Sequence, residues 1–456
     1  MEKPINPAIF KAYDVRGIYP EEIDELTVYK TAKAYCEFIK PKEVVIGCDV
    51  RLSSAALKKA AMKAVTDQGI KVIDVGEIST DMLYFSVAHY GYSGGFSVTA
   101  SHNPKEYNGM KFVREKSYPV SSDTGLFEIR DLAMKMDIGE NILGEPDYNL
   151  VEKKEILDDY IEKIRSFADF SKFKKFKIVA NPNFGLAGFF LDKLLAGTEI
   201  EIVKLNFEPD GNFPKGRPDP LIPENREEIS KMVVEQKADF GVAWDADADR
   251  CFFFTEKGEF IEGYFITALL AEIFLKRNAG EKIIHDTRLV WAIEDIVKKN
   301  NGIDIATKAG HAFIKERMRK ENAVFGGEMS AHYYFRDYFF CDNGMIPLVM
   351  MLEFLSQNEK TLSEIMHEKF WNKYFVSGEI NNQVADVKEV IEKAREAYAA
   401  SAEKTDETDG ISIEFSDWRF NLRGSNTEPV IRLNVEAKSQ ELMAEKRDEL
   451  LNLIRG

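Results

Sequence analysis

Ser101 closes a short run of small and apolar residues, Gly94-Gly95-Phe96-Ser97-Val98-Thr99-Ala100, and is followed by His102-Asn103-Pro104. A hydroxyl at the end of a strand, beside an imidazole and a turn-forming Asn-Pro pair, is expected at an exposed tip, where it can act as a nucleophile. Tyr107 to Phe112 reads as a turn into a return strand that brings Lys111 back alongside Ser101. A serine with a nearby ammonium and imidazole can carry a phosphoryl group and have its charge offset. Taken alone, the stretch reads more simply as a glycine-rich hairpin with an exposed serine.

Asp245, Asp247 and Asp249 alternate directly after the apolar run Asp239 to Trp244. Three carboxylates held together behind a buried strand repel one another unless a hard cation lies among them, and an oxygen-only donor set points to Mg²⁺ rather than zinc. A solvated acidic turn is the plain alternative. An aspartyl-phosphate hydrolase using Asp245 and Asp247 is a competitor, although the residue after Asp247 is not the Thr or Val that pattern wants. An EF-hand is excluded, because Arg250 stands where glycine is required.

Glu328, Ser330 and His332 follow a third apolar strand. If extended, Glu328 and Ser330 face the same way, which suits vicinal sugar hydroxyls, and His332 can move a proton near neutral pH. Arg423-Gly424-Ser425-Asn426-Thr427-Glu428-Pro429 combines a guanidinium, a glycine and short hydrogen-bonding side chains, either a phosphate cradle or a capped hairpin turn. Near the start, Tyr13 and Arg16 are candidate phosphate or sugar contacts.

Positioning these groups requires a large scaffold, and 456 residues suffice for two to four domains. Strand and helix patterns alternate through three rounds, the mark of α/β layers. The last part instead shows a helix, three close strands and a final helix, as in an α+β domain. The expected architecture is therefore three similar mixed α/β domains (1–149, 150–256 and 257–371) plus a smaller C-terminal α+β domain (372–456). A net charge of −16 with no basic block argues against nucleic acid or an anionic membrane surface as partner, so an anionic ligand needs a locally basic site. Cys36, Cys48, Cys251 and Cys341 are widely spaced and read as buried reduced thiols. With no apolar signal core or spanning run, a cytoplasmic protein is expected.

Taken together, TASHNP, WDADADR, GEMSAH and RGSNTEPVIR resemble, in order, the phosphoserine, metal, sugar-recognition and phosphate-binding loops of the α-D-phosphohexomutase superfamily, in its phosphomannomutase/phosphoglucomutase branch. The resemblance spans essentially the whole chain and implies four domains around a central cleft. It implies Ser101 as the phosphoserine, with Asp245, Asp247, Asp249 and the Ser101 phosphate holding Mg²⁺. Arg423, Ser425, Asn426 and Thr427 would bind the non-reacting phosphate, and Glu328 and Ser330 the sugar hydroxyls. Tyr13, Arg16, Lys111, Arg250, His311 and His332 would line the cleft, with Lys111 or His332 as acid/base. Three departures stand out. Ala246 and Phe184 replace glycines usual in the family, so a left-handed backbone at Ala246 would be strained, and His285 stands where some relatives carry a substrate-reaching lysine. The implied activity is interconversion of mannose 6-phosphate and mannose 1-phosphate through a hexose 1,6-bisphosphate, which also serves as priming activator. Glucose phosphates are second substrates on this reading, and a monomer or homodimer is expected. The alternatives are a phosphoglucomutase, a Mg²⁺-dependent sugar phosphatase and a non-catalytic phosphosugar-binding protein.

Overall fold

The computed structural model describes residues 4–139, 142–424 and 430–455. The chain forms two compact units, Met1–Phe260 with Asp337–Gln357, and Ile261–Arg336 with Asn358–Gly456.

In the first unit, strands β1 (Val15–Ile18), β2 (Glu43–Cys48), β3 (Lys71–Glu77), β4 (Gly94–Val98), β5 (Tyr107–Arg114) and β6 (Val151–Lys153) make a sheet in the order β1-β5-β4-β2-β3-β6. Helices α1 (Glu25–Ile39), α2 (Ser54–Thr66), α3 (Thr80–Tyr90) and α4 (Leu126–Lys135) accompany it. β2 is parallel to β3 and β4, so their carboxyl ends share one edge, where α/β sheets commonly carry their sites. β5 returns antiparallel to β4 with Lys111 opposite Ser97, so the return strand is present and Lys111 lies on it. The core under this sheet includes Val28, Tyr35, Ile46, Leu57, Phe96 and Phe112.

The second sheet, in the same unit, contains β7 (Lys177–Asn181), β8 (Glu201–Lys204), β9 (Phe240–Trp244) and β10 (Cys251–Phe254), in the order β10-β9-β7-β8. Helices α5 (Leu157–Arg165), α6 (Ala187–Leu194) and α7 (Glu227–Gln236) belong to this part of the chain, which ends at the short strand β11 (Phe260–Ile261). β9 and β10 pair antiparallel with Trp244 opposite Cys251, so 245–250 is their hairpin loop.

The second unit contains α8 (Gly263–Arg277), β12 (Lys282–Asp286), α9 (Trp291–Lys299), β13 (Ile303–Thr307), α10 (His311–Glu321), β14 (Phe325–Gly327) and β15 (Tyr333–Phe335), with strand order β13-β12-β14-β15. The segment that returns to the first unit carries β16 (Cys341–Asp342) and α11 (Ile346–Ser356), in which every residue but Phe354 is buried. After α12 (Leu362–Met366) come β17 (Phe375–Val376), β18 (Ile380–Gln383), α13 (Val387–Tyr398), β19 (Lys404–Asp406), β20 (Ile411–Glu414), β21 (Trp418–Gly424), β22 (Val430–Ala437) and α14 (Gln440–Arg455). These strands pair antiparallel around β22 and β21. Val390 and Ala394 of α13 and Leu450 and Ile454 of α14 share a core with Phe420 and Leu433 of that sheet. The four cysteines are buried and free, and no described helix is long and apolar enough to cross a membrane.

Candidate active site

The loop after β4 is not the exposed tip that its composition suggests, because Ser101 is 2% exposed. Arg51 folds the loop inward. Its Nη1 donates to the carbonyls of Pro104 (2.7 Å) and Tyr107 (3.1 Å), and its Nη2 to those of Ser101 and Asn103 (both 2.7 Å). Asp49 fixes the guanidinium through Nε at 3.1 Å. A buried cation satisfied by four carbonyls and a carboxylate leaves the loop little freedom. Ser101 takes a left-handed backbone, φ 51°, and its amide donates to Thr99 Oγ1. Its Oγ lies 3.2 Å from His102 Nδ1 and 3.5 Å from Asp245 Oδ2. Burial, reinforced by Arg250, Arg16 and Arg217, pushes the His102 imidazole well below its usual range, so it is neutral. Arg16 donates to Asp14 (2.7 Å) and to Asn103 Oδ1 (2.8 Å), which sets it against this loop, while Tyr13 is half-buried nearby in sequence.

Asp245, Asp247 and Asp249 are all buried, and each offers an oxygen within 4.8 Å of the others. Lys111 Nζ donates to Asp247 Oδ2 (2.8 Å) and Asp249 Oδ2 (2.7 Å). Thr80 binds Asp247 Oδ2 through its hydroxyl at 2.6 Å, and Arg250 Nε donates to Asp245 Oδ2 at 2.7 Å while its Nη1 lies 3.2 Å from Asp219. Burial pushes the Asp245 carboxyl well above the usual range, with Asp249 and Asp247 adding to the rise against the opposing pull of Arg250. Asp247 is held below its usual value, because Lys111 and Thr80 outweigh burial and the Asp249 charge. Asp247 Oδ1 is buried without a hydrogen-bond partner among the described residues. Three buried carboxylates with an oxygen left unsatisfied suit a hard cation. The strained position is Ala248 (φ 55°); Ala246 is not left-handed, so the strain anticipated there does not arise. Phe184 is left-handed, φ 62°, in the neighbouring loop after β7, which gives a backbone reason for glycine at that position.

In the second unit the loop between β14 and β15 turns tightly instead of running extended. The Glu328 amide donates to the His332 carbonyl at 3.0 Å and the Ala331 amide to the Glu328 carbonyl at 3.0 Å, with Ala331 at φ 66°. Glu328 and Ser330 therefore do not share a face as residues of an extended strand would, yet Arg288 links them, with Nη2 3.7 Å from Glu328 Oε1 and 3.4 Å from Ser330 Oγ. His332 Nδ1 is 3.2 Å from Ser330 Oγ and 3.4 Å from Glu328 Oε2. Tyr334 and the Gly310 amide also donate to Glu328 (2.6 and 2.8 Å), and His311, the first residue of α10, is buried with its ring 6.5 Å from that of His332. Arg288 is locked in turn by Asp286, through Nε at 3.0 Å and Nη2 at 2.8 Å. His285 is buried in β12 beside its neighbour's carbonyl, Nδ1 2.8 Å from Asp286 O. Arg423, the penultimate residue of β21, lies beside Glu379, whereas Ser425, Asn426 and Thr427 lie outside the described residues. Sequence reasoning missed Arg51, Thr80, Asp219, Arg288 and Glu379. Only their contacts single them out, although the repeated pattern Asp49-x-Arg51 and Asp286-x-Arg288 was available as a signal.

Models of four phosphoglucomutase/phosphomannomutase domains match the chain in order: alpha/beta/alpha domain I over residues 7–137, domain II over 158–258, domain III over 262–374 and the C-terminal domain over 379–453. The chain belongs to the phosphoglucomutase/phosphomannomutase family. Phosphomannomutase of Escherichia coli (strain K12) is 46% identical to it over 447 residues, 97% of each chain. Phosphomannomutase of Vibrio cholerae is 47% identical over 461 residues, 98% of each. The crystal structure of a phosphoglucomutase/phosphomannomutase family protein from Burkholderia thailandensis superposes with a TM-score of 0.86 at 28% identity, covering 99% of this chain and 98% of that one. Family membership accounts for three α/β parts followed by an antiparallel α+β part, as the four resembling loops implied.

Proposed function

We propose that this chain is a phosphomannomutase that interconverts mannose 6-phosphate and mannose 1-phosphate through phosphorylated Ser101 and a hexose 1,6-bisphosphate, with glucose phosphates as second substrates. The observation that carries the reading is the Ser101 hydroxyl, buried on a loop clamped by Arg51 and facing the three grouped aspartates. Asp245, Asp247 and Asp249 would hold Mg²⁺ together with the Ser101 phosphate, and the ion would supply positive charge to the transferring oxygens.

In the first half-reaction the bond between phosphorus and Ser101 Oγ breaks. A bond to the free sugar hydroxyl oxygen forms, and the hydroxyl proton passes to a base. Burial alone would lower the Lys111 pKa, but Asp247 and Asp249 reverse this and hold the ammonium protonated. That supports Lys111 as a counter-charge and His332 as the proton acceptor. Glu328 and Ser330 are assigned to the sugar hydroxyls, Arg423 with Ser425, Asn426 and Thr427 to the non-reacting phosphate, and Tyr13, Arg16, Arg250 and His311 to orienting the substrate. After the bisphosphate turns over, the reverse transfer restores phosphorylated Ser101. On this reading the chain works in the cytoplasm on a free hexose phosphate, as a monomer or homodimer, and is primed by hexose 1,6-bisphosphate.

The test is intact-mass and phosphopeptide analysis of the wild type and Ser101→Ala after incubation with hexose 1,6-bisphosphate and Mg²⁺. One phosphate on Ser101, absent from the variant and discharged by a hexose monophosphate, is the expected result. Phosphate on Asp245 would instead favour the phosphatase, and no labelling at all the binding protein.

A further inference from the structure

Glu379 lies in the segment between β17 and β18, where its one carboxylate meets three guanidinium groups. Oε2 is 3.3 Å from Arg288 Nη1 and 3.4 Å from Arg423 Nη2, and Oε1 is 3.1 Å from Arg432 Nη1. The arginines are not held alike. Arg288 is gripped by Asp286 through two nitrogens, and Arg51 in the first unit by five acceptors. The Arg423 side chain is 4% exposed, yet among the described residues its side-chain partners are the long contact to Glu379 and an Asp409 oxygen at 3.7 Å, and its Nε is buried without a partner there. Asp409 is itself engaged by the Ala309 amide at 3.1 Å.

Such loose, one-atom contacts do not brace a guanidinium. They keep its charge matched while leaving it available, since a phosphate offers charge-assisted bonds of about 2.7–2.9 Å in a two-pronged geometry. We propose that Glu379 is an exchange partner for Arg423: it holds the guanidinium while no phosphate is there, yields it to the substrate's non-reacting phosphate, and takes it back when that phosphate departs. Arg288 and Arg432 keep the carboxylate in place during the exchange. A mutase whose intermediate must release one phosphate and present the other gains from such a device, because very tight phosphate binding would slow turnover. Glu379 acts through Arg423, so it is a positioning residue. The inference rests on the assignment of Arg423 to the phosphate cradle.

The experiment uses the full chain with Mg²⁺ and priming hexose 1,6-bisphosphate, measuring KM and kcat for mannose 1-phosphate and the inhibition constant of inorganic phosphate. Glu379→Gln, which keeps shape but removes the competing charge, is expected to lower both KM and the phosphate inhibition constant about three- to tenfold and to lower kcat about fivefold. In an Arg423→Ala background the same substitution should change KM and the inhibition constant less than about twofold, since the partner is gone. Glu379→Asp keeps the charge but shortens its reach to Arg423; it should move both constants in the same direction by less, and serves where the amide variant folds poorly. A rise in KM and inhibition constant in Glu379→Gln, or no change in either, overturns the exchange. An unchanged KM in Arg423→Ala overturns the cradle assignment itself.

Discussion

Lys111 offsets the charge of two carboxylates at once, donating to Asp247 and Asp249. Its buried ammonium is therefore a fixed positive charge among the grouped aspartates, and on the proposed mechanism it offsets charge on the transferring phosphoryl group. Lys111→Met, close in length but uncharged, is expected to lower kcat by about 10²–10³ while KM for mannose 1-phosphate stays within about threefold. Steady-state kinetics on protein shown by melting to be folded checks this, and a change in KM alone would assign Lys111 to binding instead. Ser101 and the aspartates were legible because each constellation is contiguous or strictly alternating in the chain. Arg51, Arg288 and Glu379 were not, because each is a single ordinary residue whose role arises from partners brought to it by the fold, acceptors to the two arginines and guanidinium donors to Glu379. Burial of Ser101 was likewise invisible: the tip composition is polar, and only the Arg51 clamp turns it inward.

At the scale of elements, the sequence reveals strands that are short, apolar and followed by polar turns, as in the run before the three aspartates, which forms the buried β9 over Phe240–Trp244. It conceals α8 and α11. These helices are apolar on nearly every side and buried accordingly, so they carry no periodic polar face to read. The aspartate loop proposed to hold Mg²⁺ also depends on an element outside it. A methyl at Gly185, in the loop after β7, would meet the Ala246 carbonyl oxygen at 2.3 Å and its Cα at 2.6 Å. Gly185 is not at positive φ, so space alone demands glycine, and the obstacle is backbone that cannot rotate away. Gly185→Ala is expected to cost about 1–3 kcal/mol of stability and to raise the Mg²⁺ concentration for half-maximal activity about tenfold. Thermal melts and a Mg²⁺ titration of activity check both parts. Lost stability with an unchanged Mg²⁺ requirement would mean that the metal loop tolerates the displacement.

Across the whole molecule, a net charge of −16 coexists with carboxylates sealed in the interior, and those must be either paired or protonated. Asp81, at the start of α3, is held by hydrogen bonds. It accepts from Ser79, from Tyr160 of α5 at 2.6 Å, from Asn343 before α11 and from the Met82 amide at 3.0 Å, so one carboxyl ties together segments far apart in the first unit. Burial raises its pKa, Asp249 and Asp342 add to the rise, and the hydrogen bonds oppose it only in part, leaving a value of about 7. A carboxyl whose folded pKa lies above its unfolded value of 3.8 binds more protons folded than unfolded. Its contribution is fully present below the unfolded pKa and is lost as pH rises through about 7, so stability falls across pH 4–7. Raising a carboxyl from 3.8 to about 7, at about 1.36 kcal/mol for each pH unit between them, weakens the folded state by at most about 4 kcal/mol at pH 8 relative to pH 4. Asp81→Asn removes the charge while keeping an acceptor for Tyr160, so its Tm should fall less than that of the wild type as pH rises from 5 to 8, by about 5 °C over that range. The difference between the two proteins is the informative quantity, since every other titrating group is common to both. Parallel Tm curves would mean that Asp81 is ionised throughout this range and that its hydrogen bonds alone carry the buried charge.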